Sequence, residues 1–232
     1  MQDCQQSLRN RQTHPRSPGP PWSRAAEPYG RDVTDLELLA PPTPTAALAR
    51  EVAEKWAGPA LVNHCLRSWV WGCDLAETLG LDYDPELFYV AAMLHDLGVV
   101  PHFDALTVPF EDAGGAVAWS FAAGAGWPPA RRTRVEQIIQ RHAWAVVDPE
   151  EDAEGYLLEA ATSLDVSGSG EENWDRAFIV GVGRAVPRLD FAREFGAAVH
   201  QQAHRKPRSE AARFGASGGI ERGELFWRTI LG

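Results

Sequence analysis

Apolar residues recur along most of this chain at intervals of three and four, the spacing of one helix face, and nowhere in sustained alternation. The pattern therefore predicts an all-α protein. Thr45 is placed to cap a helix running through Trp56, and Pro59 to open a second running to about Leu79. Asp84 followed by Pro85 starts a third, with Leu87, Val90, Ala91 and Leu94 as its apolar stripe and Gly98 as its stop. A loop holding Pro101 and Pro109 precedes a short helix near Glu111 to Ala123. Pro128 and Pro129 begin the next, which carries Val135, Ile138, Ile139 and His142 at helical spacing. Pro149 with Glu150, Glu151 and Asp152 reads as an acidic first turn of a helix reaching Gly168 through Leu157, Leu158 and Leu164. Further helices are expected around 173–185 and 190–204. The polar, glycine-rich stretch 206–223 is expected to be a mobile loop before a final segment Leu225–Leu231.

Composition sets the frame. A chain of 232 residues with 44% apolar content accommodates one domain and its core. Residues 1–30, rich in Pro, Arg, Ser and Gln without apolar period, are expected to be disordered. That leaves 31–232 as the domain, with its core at about 45–205. The chain lacks an apolar leader and any run of 18 apolar residues, so neither secretion nor a membrane is expected. Cys4, Cys65 and Cys73 form no metal-type pair, and a buried free thiol suits the last two, which points to the cytoplasm. The net charge is −10, and residues 32–183 hold 8 basic against 25 acidic side chains. Such a surface repels phosphate backbones, so nucleic acid is not an expected partner. A small molecule is, with self-association left open.

The chemistry concentrates on His64, His95, Asp96 and Asp165. Neighbours on a helix point about 100° apart, so His95 and Asp96 reach one ion only near a helix end, where Gly98 lets the chain turn. His64 lies in the apolar run Val62-Asn63-His64-Cys65-Leu66, where an unpaired ring is costly; a core histidine bonded to a carbonyl is the plainer alternative. Asp165 ends an apolar helix where the dipole disfavours a carboxylate, with no Lys or Arg nearby in sequence. A metal would supply the missing cation.

In order along the chain, these four residues resemble the H…HD…D pattern of HD-domain metalloproteins. Several strings narrow the resemblance to the cyanamide hydratase-like branch: Asn63-His64, Leu94-His95-Asp96-Leu97-Gly98, Phe110-Glu111-Asp112-Ala113-Gly114-Gly115, and Ile138-Ile139-Gln140-Arg141-His142. Ala161-Thr162-Ser163-Leu164-Asp165, Val186-Pro187-Arg188-Leu189 and Arg205-Lys206-Pro207 continue the series. The resemblance implies an HD-domain helical bundle with one divalent ion, zinc or alternatively Fe2+, on His64, His95, Asp96 and Asp165. It also implies a pocket lined by Asn63, Glu111 and His142. The implied reaction hydrates cyanamide to urea, with a metal-bound hydroxide as nucleophile and Glu111 moving the proton. A first-turn carboxylate is the structural alternative for Glu111, and a core histidine for His142.

His102 and Phe103, after the HD pair, are candidate substrate contacts; a second-metal ligand or simple exposure are the alternatives for His102, and Pro101 and Asp104 favour exposure. Three rival functions stand beside nitrile hydration. A phosphohydrolase is disfavoured by Val99, where many such enzymes place lysine, and by few flanking cations. A dinuclear iron oxygenase would need His102 and His142 for a second ion. A non-catalytic binding module would be expected to have lost its ligands.

Overall fold

A computed structural model describes residues 39–232 of the chain; the segment 1–30, expected to be disordered, lies outside them. Among the described residues the architecture is all-α, as the apolar period predicts, and no helix is long and apolar enough to cross a membrane. Ten α-helices follow in order: α1 (Pro44–Trp56), α2 (Pro59–Leu79), α3 (Pro85–Leu94), α4 (Phe110–Gly124), α5 (Pro129–Arg141), α6 (Ala153–Ser167), α7 (Arg176–Ala185), α8 (Phe191–Arg205), α9 (Glu210–Ala216) and α10 (Gly219–Leu231). Short 3-10 turns span His95–Val99 and Glu171–Asn173.

Proline at the first helical position and an oxygen-bearing cap set several starts. Thr43, not Thr45, caps α1, accepting from the Ala46 N–H at 3.1 Å with Pro44 inside the first turn. Asp84 caps α3 through the Leu87 N–H at 3.0 Å, as expected. Asp152 caps α6 through the Gly155 N–H at 2.8 Å, so Pro149, Glu150 and Glu151 precede that helix rather than forming its first turn. The error has one cause: a cap and a first-turn acid use the same residue types, and only backbone geometry separates them.

The centre of the bundle is α2, buried along most of its length and packed on α3, α6 and α8. Phe110, Val166, Phe191, Phe195, Val199 and Ile220 form an apolar cluster between α4, α6, α8 and α10. Two glycines let α4 press its backbone on the turn after α3. A Cβ on Gly98 would overlap the Phe110 carbonyl, and one on Gly114 would lie 2.5 Å from the His95 carbonyl oxygen. This close approach brings the start of α4 beside the His95–Asp96 pair.

The stretch 206–223 is not a loop. Ser209 caps α9 by accepting from the Ala212 N–H, and α10 begins at Gly219. Its glycines serve packing rather than flexibility: a Cβ on Gly223 would overlap the Val166 carbonyl, so α10 lies backbone-to-backbone on α6. Composition alone reads the same residues as mobile, because contact with α6 is invisible in local sequence.

Candidate metal centre

His64 sits in the second turn of α2, while His95 and Asp96 occupy the turn at the end of α3. The pair sits at the helix end, as the dipeptide requires, and there both side chains come within reach of His64. His64 Nε2 and His95 Nε2 lie 3.1 Å apart. Asp96 Oδ2 is 3.4 Å from the first and 3.2 Å from the second. All three residues are buried.

The outer ring nitrogens fix what the inner ones offer. His95 Nδ1 donates to the Ala92 carbonyl at 2.8 Å, and His64 Nδ1 donates to the Asp165 carboxylate at 2.6 Å. Each ring therefore turns a lone pair inward. Two neutral rings facing each other repel, and the Asp96 charge answers by raising the His95 pKa well above its usual value against the opposing burial; both oxygens of buried Asp96 lack a hydrogen-bond partner. A divalent cation resolves both problems at once. His64, His95 and Asp96 thus form a candidate divalent-metal site, their donor atoms within 4.8 Å of one another. Burial would raise the Asp96 pKa, but the pull of the neighbouring imidazoles, His95 first, outweighs it and holds the carboxyl at about 2. Burial also lowers the pKa of His64.

Asp165, read from the sequence as a fourth ligand awaiting a cation, has its cations already. Arg67 Nη2 reaches Oδ2 at 2.5 Å, Arg67 Nε reaches both oxygens, and Arg188 pairs with Oδ1. Burial opposes ionisation here, yet Arg67 and Arg188 hold the carboxyl well below the usual carboxylate range. Here Asp165 backs His64 and stands outside the three-residue group. Arg67 is wholly buried, three residues beyond His64 in the same apolar helix. A guanidinium in such a run needs a buried carboxylate, and that was the missed signal. Phe191 stacks on the His64 ring at 4.5 Å and 15°, with the Arg67 and Arg188 guanidinium groups also against it.

The other candidates divide. His142 joins the centre: its Nδ1 donates to the Ile139 carbonyl, leaving Nε2 3.8 Å from Asp96 Oδ1. Burial and the charge of His95 depress its pKa to about 4, so the ring is neutral at pH 7. Glu111, in the first turn of α4, is buried with Oε2 unpartnered. Burial raises its pKa, Asp112 and Asp96 add to the rise, and Lys206 opposes it. Asn63 instead donates to the Pro187 carbonyl at 2.8 Å, bracing the segment that carries Arg188. His102 is exposed and packs with Phe103 on Trp56, at centroid distances of 4.8 and 5.5 Å, rather than on the centre.

A cavity of about 460 Å³ opens on His64, His95, Asp96 and His142. Its walls come from Phe110, α6, Phe195 and Val199 of α8, and α9. Sequence reasoning missed the contribution of α9 entirely, having read it as loop.

Comparison with known proteins agrees with this geometry. Residues 61–143 match the family described as HD domain, a span that contains His64, His95, Asp96, Glu111 and His142. The chain is also similar to Cyanamide hydratase DDI2 and Cyanamide hydratase DDI3 of Saccharomyces cerevisiae. Each is 28% identical over 171 residues, covering 72% of this chain and 76% of the relative.

Proposed function

We propose that this HD-domain protein, cyanamide hydratase-like in sequence, is a metal-dependent enzyme that adds water across the carbon–nitrogen triple bond of a small nitrile such as cyanamide. The observation that carries the reading is the buried Asp96 carboxylate, unpartnered beside two inward-facing imidazole nitrogens at the end of a cavity. A divalent ion held by this nitrogen and oxygen set, zinc or Fe2+, would supply an acidified water and a polarising charge.

The chain's own groups do the rest. His64, His95 and Asp96 hold the ion, with Asp165 keeping the His64 ring in register. Apolar Phe110 and Phe195 line the cavity beside the reacting centre and exclude bulk water. Attack of oxygen on the nitrile carbon leaves a basic nitrogen, and Glu111, with its raised pKa, gives that nitrogen a proton. His142, neutral at pH 7, accepts a hydrogen bond from the substrate or from water at Nε2. Water's oxygen ends on carbon and its two hydrogens on nitrogen, so cyanamide gives urea.

The phosphohydrolase alternative lacks its cations. Arg67 and Arg188, the guanidinium groups nearest the centre, are engaged by Asp165. The test is to incubate protein purified without chelator with cyanamide and with an aryl phosphate. Urea without phosphate release, at one ion per chain, is expected. Phosphate release with cyanamide untouched would overturn the reaction while leaving the site in place, and two ions per chain would favour a dinuclear enzyme.

A further inference from the structure

The cavity is too large for cyanamide. About 460 Å³ lies within the range of pockets that enclose drug-sized ligands, whereas cyanamide has three heavy atoms. One wall is a single helix face: Glu159, Thr162, Ser163, Val166 and Ser167 of α6 line it at positions i, i+3, i+4, i+7 and i+8. Opposite stand Phe195, Val199 and Phe214, which are apolar. Glu159 lies about 9 Å along α6 from Asp165, the residue behind His64.

Glu159 is an acid without a cation. Its Oε1 accepts from Ser163 Oγ at 2.8 Å, and among the described residues no ion pair reaches it. Burial raises its pKa, and Ser163 only partly opposes the rise. The other carboxylate on the wall, Glu210, is already paired with Arg213. Of the arginines on the rim, Arg213 is paired with Glu210, while Arg222 donates to the Ser217 carbonyl at 2.6 Å and keeps its charge. A net charge of −10 draws cations toward the molecule.

We propose that Glu159, oriented by Ser163, recognises a cationic nitrogen on the substrate, which is a nitrile joined through a short apolar stem to an ammonium or amidinium group. This rests on the nitrile-hydration reading. The cation completes a half-buried carboxylate, the stem covers Phe195, Val199 and Phe214, and the nitrile reaches the metal centre. A substrate with the stem but no cation leaves Glu159 unpaired and is discriminated against.

The test combines binding and turnover on the metal-loaded protein. Wild type and Glu159→Gln are titrated calorimetrically with pentylamine, 1-pentanol and pentanoate, and assayed on 5-aminopentanenitrile and hexanenitrile. Wild type is expected to bind the amine about tenfold or more tightly than the alcohol, as a charge-assisted hydrogen bond provides. It should show a similar preference in kcat/KM for the aminonitrile. Glu159→Gln should lose both preferences, and Ser163→Ala should lose part of them. Equal wild-type affinity for amine and alcohol overturns the proposal without reference to any variant. So does preference for pentanoate, which would move recognition to Arg213 and Arg222, or an amine preference that survives in Glu159→Gln. An amine preference that depends on Glu159, with no nitrile converted, would uphold this subsite and reject the nitrile-hydration reading instead.

Discussion

Asp165 accepts the Nδ1 proton of His64 across 2.6 Å, and the same carboxylate is gripped by Arg67 and Arg188. Three helices and the segment before α8 meet on this one residue, because its main-chain carbonyl also accepts from Trp227 Nε1 at 2.8 Å and from Arg188. The ring that faces the metal centre is thus set by residues far from it in sequence. The arrangement separates two roles for Asp165. As an orienting group, Asp165→Asn should weaken metal affinity by about 10–100-fold yet still bind one ion at saturation. His64→Ala, which removes a donor, should not reach one ion per chain. Metal titration followed by elemental analysis distinguishes them, and an Asp165→Asn protein that cannot be loaded would make Asp165 a direct ligand.

Removing the ion should destabilise the fold, because Asp96 keeps two buried oxygens with no other partner. A ligand at a hundred times its Kd contributes about 2.7 kcal/mol, which for a chain of this size is about 5–10 °C in Tm. A chelator should therefore lower the wild-type Tm by that order and leave His95→Ala nearly unchanged. An unaltered wild-type melting curve in chelator, with no ion found in the protein, would remove the site.

How far the sequence reaches depends on whether the deciding interaction is local. Helix starts at Pro59, Pro85 and Pro129 are local events, and the structure has them where proline and the apolar period predict. The turn at His95–Val99 was legible for the same reason, since Gly98 lies two residues after the pair. The arginine partners of Asp165 were not legible because they come from positions 67 and 188, and the start of α10 read as loop because a glycine that allows contact with α6, Gly223, looks locally like one that allows motion. His102 and Phe103 stood next to the metal pair in sequence, but the turn sends them to Trp56.

The two glycines between α4 and the metal turn have opposite counterparts within one helix. Gly114→Ala would put its Cβ 2.5 Å from the His95 carbonyl oxygen, a backbone atom that cannot move without shifting the metal pair. A loss of roughly 1–3 kcal/mol is expected, together with weaker metal binding. Gly124→Ala meets nothing within 4 Å and should instead stabilise α4 by up to about 1 kcal/mol. Urea denaturation of the two variants checks the pair, and equal effects would mean that α4 does not pack as described.

Asp152 gives a pH dependence outside the metal centre. Burial alone would raise its pKa, but hydrogen bonds from Arg134, Arg141 and the Gly155 N–H outweigh it and depress the net value. A depressed carboxylate stabilises the fold above its unfolded pKa, about 3.9, and loses that contribution as pH falls through the lower folded value. Asp152→Asn should therefore cost about 1–3 kcal/mol at pH 7. The gap from wild type should close below about pH 4. Urea midpoints at pH 7 and pH 3 measure it, and a gap that widens in acid would refute the assignment.

His142 lines the cavity and Glu111 is buried at the start of α4, outside that lining, and their protonation states predict different losses. Burial, reinforced by Asp112 and Asp96, raises the Glu111 pKa, so its carboxyl holds a proton more readily than an exposed glutamic acid would. Its buried Oε2 has no hydrogen-bond partner. His142 is depressed to about 4 and is neutral at pH 7, so it accepts rather than donates at Nε2. Glu111→Gln keeps shape and hydrogen bonding but cannot transfer a proton, so it should retain the ion and lose about 10²–10⁴-fold in kcat on cyanamide. His142→Gln removes a hydrogen-bond acceptor from the cavity wall and should act mainly through KM. Steady-state rates with metal content measured on the same samples decide between them. Full activity in Glu111→Gln would dismiss it as the proton donor, and a collapse of kcat confined to His142→Gln would transfer that role to the histidine.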